Sequence, residues 1–295
     1  MVQNCEYLIT KNSTKPLHKN TMRIDLHTHT NKSDGILSPE KLINLAKERD
    51  ISTIAITDHD SVNALEEAIE IGNSLGIRVI AGVELSTDID ERDVHILGLF
   101  LDHKNEDLLK YLSFFREERL YRAKRIVKKL NLLGHNISLD DVMKFAQSSA
   151  IGRPHIAYAM MDLGIVSNFY EAFEKYIGDN GPAYERKIHV SPKSALKIIS
   201  DAGGLSFVAH PGYINENILT ALIKAGVDGI EVIHPAHNDY QVRFYRGIVH
   251  QYCLLECGGS DFHGGNKNDS ENLGKYYIAQ TSLDAMQKMI QRNSA

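Results

Sequence analysis

Arg23-Ile24-Asp25-Leu26-His27-Thr28-His29-Thr30-Asn31-Lys32-Ser33-Asp34-Gly35 is the stretch that decides how the rest of the chain is read. It reads as a short buried strand whose end presents two histidines. Side chains alternate faces along a strand, so His27 and His29 point the same way. Two imidazoles on one face of a strand end begin a metal site. Asp34 follows in a polar turn closed by Gly35, close enough to return a carboxylate to the same mouth. An isolated H-x-H is equally well a pair of surface histidines beside a turn. Here, similar strand ends recur down the chain.

Outward from that strand, Ser38-Pro39-Glu40 starts a helix, with an N-cap serine and a proline at the first helical position. Ser52 to Thr57 is a buried strand ending at Asp58-His59-Asp60, and Ala64 to Leu75 is a helix stopped by Gly76. A third strand, Ile77 to Val83, ends at Glu84, and a fourth, Val94 to Leu101, opens with His95. Apolar strands alternating with amphipathic helices predict βα units and a parallel sheet. The rhythm changes near Asp102. From there to residue 186 the pattern is helical, with a charged run from Arg116 to Lys129 that reads as a solvated face laced with i,i+4 pairs. The βα rhythm resumes at Ser191-Pro192. Strands then end at His210-Pro211-Gly212 and at His234, and a strand from Cys253 to Cys257 leads to Gly259-Ser260-Asp261-Phe262-His263-Gly264. About seven strands wrapped by helices suit a closed α/β barrel. The domain reading is a polar extension over 1–21, a barrel from 22–101 and 187–295, and an all-helical insertion over 102–186.

Bulk properties narrow the class. The chain of 295 residues is 43% hydrophobic and 24% charged, as ordinary globular proteins are. A net charge of −5 disfavours broad binding of long duplex nucleic acid. No apolar run reaches membrane-spanning length, and the first residues lack a signal-peptide pattern. Three cysteines are too few for a disulfide framework, so a reduced, cytoplasmic setting is expected.

His27, His29, Asp34, His59, Glu84, His95, His210, Asp261 and His263 thus gather at strand mouths, the functional face of parallel barrels. His95 fits least simply, since it heads its strand. Six imidazoles and three carboxylates suit Zn²⁺, Mn²⁺ or Fe²⁺ and suit Ca²⁺ poorly. Nine ligands exceed what one ion takes, so two or three divalent ions are expected.

At these residues the chain resembles the PHP family, the polymerase and histidinol phosphatase superfamily. The matching pieces are Asp25-Leu26-His27-Thr28-His29, Ser33-Asp34-Gly35, Thr57-Asp58-His59-Asp60, Gly82-Val83-Glu84, His95, Ala209-His210-Pro211-Gly212 and Gly259 to Gly264, spread over about residues 22–101 and 187–290. The resemblance implies a distorted (β/α)7 barrel and a trinuclear metal centre. Carried over, it assigns one ion to His27, His29, Glu84 and Asp261, a second to Glu84, His95 and His210, and a third to Asp34, His59 and His263. The helical insertion resembles that of stand-alone phosphoesterases that hydrolyse nucleoside 3′,5′-bisphosphates and trim short oligonucleotides from the 5′ end. Within it, Gly152-Arg153-Pro154-His155 is similar to a segment facing the metals. Arg153 is then expected to clamp a phosphate and His155 to donate to it, as catalytic and substrate-binding residues. His234 and His237, after the sixth strand, are further candidates near the substrate's leaving oxygen.

The expected substrate is a small phosphate monoester, a nucleotide or short oligonucleotide. Rivals use the same centre differently. A histidinol-phosphatase-like activity needs an acidic pocket for an amine, and a 5′–3′ exonuclease needs a basic track, for which the Arg119–Lys129 face is the candidate. A C–N amidohydrolase usually bridges its metals with a modified lysine, where this chain has Glu84. A degenerate, non-catalytic PHP module would have lost ligands.

Overall fold

The apolar runs form strands β1 (Arg23–Asp25), β2 (Ile51–Ile56), β3 (Arg78–Ile89), β4 (Arg92–Leu99), β5 (Leu205–Val208), β6 (Gly229–Ile233) and β7 (Leu255–Gly258). They hydrogen-bond in chain order as one seven-stranded sheet. This computed structural model describes residues 22–89, 92–146, 151–186, 188, 190–265 and 267–293; the extension expected over 1–21 lies outside them.

Helices fill the connections. Ser38 caps α1 (Pro39–Glu48) by accepting from the Lys41 N–H, and Gly76, at φ 71°, ends α2 (Leu65–Leu75). After β4 come α3 (Glu106–Leu132), α4 (Leu139–Ala146), α5 (Arg153–Asp162), α6 (Phe169–Ala172) and a π-helical turn, Phe173–Ile177. Then α7 (Pro192–Asp201), α8 (Glu216–Ala225) and α9 (Asp239–Tyr252) alternate with β5 to β7, and α10 (Gln280–Asn293) closes the described chain.

The sheet is only mostly parallel. β1, β2 and β3 are parallel, as are β5, β6 and β7, but β4 runs antiparallel to both neighbours. The all-parallel expectation fails there for a physical reason. No helix separates β3 from β4, so the chain doubles straight back. An apolar run carries no mark of its direction. β3 also runs on past Glu84, its expected end, because β4 pairs with it out to Ile89. Cys253 is not in β7; it caps α9 in a left-handed conformation, φ 53°.

Alternation along the strands separates two apolar clusters. Ile54, Ile56, Val83, Leu85, Ile96 and Val232 pack against α1, α2 and α7 to α9. Their neighbours Ala55, Ile80, Leu97, Phe207 and Cys257 pack together with Leu283 and Met286 of α10. Glu84, His95 and Glu231 share the second face by the same alternation. The first and last strands also meet. Leu26 N–H donates to Gly258 O at 3.1 Å, and Thr28 bridges Phe262.

The helices after β4 have a core of their own, in which Ala123, Ile126 and Leu130 of α3 meet Val142, Ile156 and Met160. Leu108 and Leu112, earlier on α3, belong to the sheet's cluster. One helix about 40 Å long therefore joins the two cores. Among the described residues no helix is long and apolar enough to cross a membrane.

Candidate metal centre

Each strand delivers its ligand through a backbone device. His27 and His29 lie just beyond β1 in extended chain, held by the Thr28–Phe262 bridge and by His29 N–H on Phe262 O at 2.9 Å. The turn carrying Asp34 then folds back over His29 so closely that a Cβ on Gly35 would sit 2.6 Å from His29 O. Buried Asp58 ties this turn to the end of β2, accepting from Thr30 N, Thr30 Oγ1 and Ser33 Oγ at 2.6–2.7 Å. His59 follows and bridges Glu84 on β3. His95 needs no special turn. Because β4 is antiparallel, its first residues lie where its neighbours end, with His95 opposite Ser86. His210 and Asp261 leave β5 and β7 in left-handed conformations, φ 27° and 48°. Such backbone is sparsely populated for residues with a side chain and clusters at functional sites.

The atoms so placed are spaced for a cation. His27 Nε2 and His29 Nε2 are 3.1 Å apart. Glu84 Oε2 stands 3.2 Å from each, and Asp261 Oδ1 stands 3.3 and 3.2 Å from the same two. Donors at the corners of a tetrahedron about 2.0 Å from its centre are about 3.3 Å apart. The second Glu84 oxygen faces elsewhere, 2.8 Å from His95 Nδ1 and 2.9 Å from His210 Nε2. Asp34 Oδ1 lies 3.2 Å from His263 Nε2. Ligand atoms of His29, Asp34, His59 and His263 all fall within 4.8 Å of one another. His29 Nδ1, Asp34 Oδ1, His59 Nδ1, His95 Nδ1 and His263 Nε2 are buried without a well-aligned hydrogen bond, despite the short approaches of His95 to Glu84 and of Asp34 to His263. Buried lone pairs facing one another without hydrogens between them are what a divalent ion satisfies, so the donor set fits such ions.

A layer behind these atoms escaped the sequence reading. Glu231 on β6 accepts from His27 Nδ1 at 2.8 Å and from His210 N at 2.6 Å. The first bond fixes the proton on Nδ1 and turns the lone pair of Nε2 toward the cluster. Burial would raise Glu231, but the rings of His27 and His234 hold it below the usual carboxylate range. Its signal was a lone acid inside the apolar run Gly229–Ile233. Asp25 is the matching prop on β1. It accepts from His27 N and Ser260 N at 3.3 and 2.9 Å, and burial pushes it up to about 7 against those donors. Burial lowers His29 too, yet hydrogen bonds with Asp261 and Glu84 carry it up to about 9.

The other predicted residues divide. His234 is buried with Nε2 3.3 Å from Asp261 Oδ2, while its Nδ1 accepts from Ala236 N. His237 bonds backbone through both ring nitrogens, Nδ1 to Val232 O and Nε2 to Gly212 N, which leaves none for a ligand. Arg153 is turned into the helical segment, paired with Asp179 Oδ1 at 2.5 Å between the rings of Phe173 and Tyr184. His155 is buried, and burial outweighs the pull of Asp34 to hold it below its ordinary value. The face expected on α3 is solvated at Arg116, Glu117, Lys124, Arg125 and Lys128, but several of its charges pair with distant residues and not along the helix. Arg119 reaches Asp60 and Ser86 beside the cluster, and Arg122, Arg125 and Lys129 are spent on residues 184 and 185. A cavity of about 280 Å³ opens over the cluster. Its wall includes two residues the sequence did not single out, Tyr213 and Lys267, the latter 2.8 Å from Asp34 Oδ2.

Residues 25–287 match the PHP domain family. The chain belongs to this family. It is 33% identical over 247 residues to the 3′,5′-nucleoside bisphosphate phosphatase of Chromobacterium violaceum, covering 81% of this chain and 87% of that one. It is 31% identical to the 5′–3′ exoribonuclease Rnm of Escherichia coli, covering 81% and 84%. A provisionally assigned metal-dependent phosphoesterase of Bifidobacterium adolescentis superposes with a TM-score of 0.80 at 29% identity, covering 90% of this chain and 96% of that one. This PHP chain is accordingly a metal-dependent phosphoesterase, a hydrolase. Its cluster of His, Asp and Glu is of a kind that can hold metal.

Proposed function

We propose that the chain hydrolyses a phosphate monoester of a small nucleotide, such as a nucleoside 3′,5′-bisphosphate, at a centre of two or three divalent ions (Mn²⁺, Fe²⁺ or Zn²⁺). The observation that carries the metal centre is the set of edges of 3.1–3.3 Å among the ligand atoms of His27, His29, Glu84 and Asp261, and the nucleotide class is supported by the bisphosphate phosphatase relative. Those four residues would hold one ion, Glu84 with His95 and His210 a second, and Asp34 with His59 and His263 a third. The scaffold is read as a distorted (β/α)7 barrel over 22–101 and 187–295, closed where β1 meets β7, with 102–186 as the inserted helical lid. The ions, when bound, lower the pKa of a water and neutralise phosphoryl charge. The protein's own groups do the rest. Glu231 and Asp25 hold His27 in one tautomer and orientation. Lys267 brings a cation to the cavity wall, suited to a phosphate not being cleaved. With Nδ1 accepting from backbone, His234 carries its proton on Nε2, 3.3 Å from Asp261 Oδ2, and would orient that carboxylate. His155 and Arg153 would come to the phosphate only if the helical segment closed over the cavity and Arg153 gave up Asp179.

A second reading, 5′–3′ trimming of short oligoribonucleotides, is supported by the Rnm relative. Against it as the main role, Arg119, Arg122, Arg125 and Lys129 of the basic face of α3 are paired within the protein. Phosphate release with Mn²⁺ from adenosine 3′,5′-bisphosphate, histidinol phosphate and a 5′-phosphorylated trinucleotide separates the readings. The bisphosphate should be turned over most efficiently. A preference for histidinol phosphate would overturn the substrate class, and comparable cleavage of the trinucleotide would favour the second reading.

A further inference from the structure

The wall of the cavity over the cluster extends beyond the ligand set, where the part of a substrate away from the reacting phosphate would lie. Among the described residues lining it, Tyr213 is the one carbocyclic aromatic. Tyr213 is 70% exposed, a large apolar surface left in water beside a buried cluster. Its ring touches His210 at 5.3 Å and 58°, and His234 at 6.2 Å and 83°. Neither contact is a parallel stack.

The exposed ring does not sit on a loose loop. It ends the 3₁₀ turn Pro211–Tyr213, which starts at His210. Tyr213 N donates to His210 O at 3.1 Å, Gly212 N to His237 Nε2 at 3.1 Å, and His210 N to Glu231 Oε2 at 2.6 Å. Both nitrogens of the His237 ring serve this anchorage, since Nδ1 is bound to Val232 O. An aromatic carried on an anchored backbone turn loses less freedom on binding than one on a loose loop. Aromatic faces take any base, since every base has a π-face. Lys267, on the same wall, supplies positive charge near Tyr213.

We infer that Tyr213 is the platform on which the base of the substrate stacks, so that this protein selects base-bearing phosphate esters over sugar phosphates of the same skeleton. The inference rests on the nucleotide reading above. It makes Tyr213 a specificity residue that acts on KM and spares the chemical step.

The test compares adenosine 3′,5′-bisphosphate with 1,4-anhydroribitol 3,5-bisphosphate, which keeps the ribose hydroxyl and lacks the base. Both are assayed with Mn²⁺ on wild type, Tyr213→Phe and Tyr213→Ala. Wild type is expected to show a KM for the abasic ester about 10-fold or more above that for the nucleotide, the scale of one base–aromatic stack. Tyr213→Phe should keep that ratio, since it retains the ring face, and Tyr213→Ala should bring it close to one. A ratio unaltered in Tyr213→Ala overturns the inference, as does a Phe variant that loses it as fully as Ala. If wild type hydrolyses neither ester, the nucleotide reading itself has failed and the platform falls with it.

Discussion

The strand-end cluster and the helical segment α3–α6 meet at Asp60 and Arg119, yet they are held by different physics. At the strand ends, backbone bonds fix position. Thr28, His29 and Glu84 are each tied by main-chain hydrogen bonds to a neighbouring strand or its extension, and His210 N is held by the buried Glu231 carboxylate on the next strand. The side chains between them then fall at ligand spacing with little freedom left. The helical segment has its own core, and its link to the cluster is made by side chains. Arg119 on α3 donates to Asp60 Oδ2 and Ser86 Oγ, and Asp60 Oδ1 accepts from Ser86 N, two residues beyond Glu84. A ladder tolerates the loss of one side chain. A side-chain latch does not.

Substitutions should break the two regions unequally. The largest effect is expected from Glu84→Ala, whose two oxygens face separate groups of histidines; turnover should fall to that of chelator-treated wild type while the circular dichroism spectrum is kept. Normal turnover would remove Glu84 from the centre. Next, Glu231→Gln keeps the shape but weakens the hold on His27. Metal affinity, read by titration, should drop about 10–100-fold. An affinity equal to wild type would show that the Asp25 contact suffices.

The same contrast sets what the sequence could disclose. His27, His29, Glu84 and Asp261 were legible because strand alternation and flanking glycines fix where such residues point, whatever the rest of the fold does. The place of His95 was not, since a strand reads alike in both directions and only pairing makes β4 antiparallel. Glu231 was hidden because one acid in an apolar strand does not name its partner. On α3, a charge pattern permits i,i+4 pairs as well as distant ones, and Arg119 took the distant one. Tyr213 and Lys267 belong to no pattern at all; the cavity alone relates them.

Smaller effects sharpen the comparison on the helical side. Arg119→Ala leaves Asp60 buried without its cation and should cost about 3 kcal/mol in denaturant unfolding. Asp60→Asn in the same chain should recover part of that loss, and equal stabilities would show that the latch carries no energy. The smallest change is expected from Arg153→Ala, because its guanidinium is already paired with Asp179. We expect a rise in KM for the bisphosphate within about 5-fold, as for a contact made only after another is given up. A fall of kcat by orders of magnitude would show that the helical segment closes over the cavity and that Arg153 acts on the phosphate in the transition state.

The most direct single measurement is Mn²⁺ bound per chain, by equilibrium dialysis, read in parallel with phosphate release from adenosine 3′,5′-bisphosphate. More than one ion per chain is predicted for the wild type, with release rising as the ions load, and Asp261→Ala is predicted to bind fewer ions per chain and to lose release. Undiminished release from metal-free protein, or from an Asp261→Ala chain short of an ion, would contradict the account.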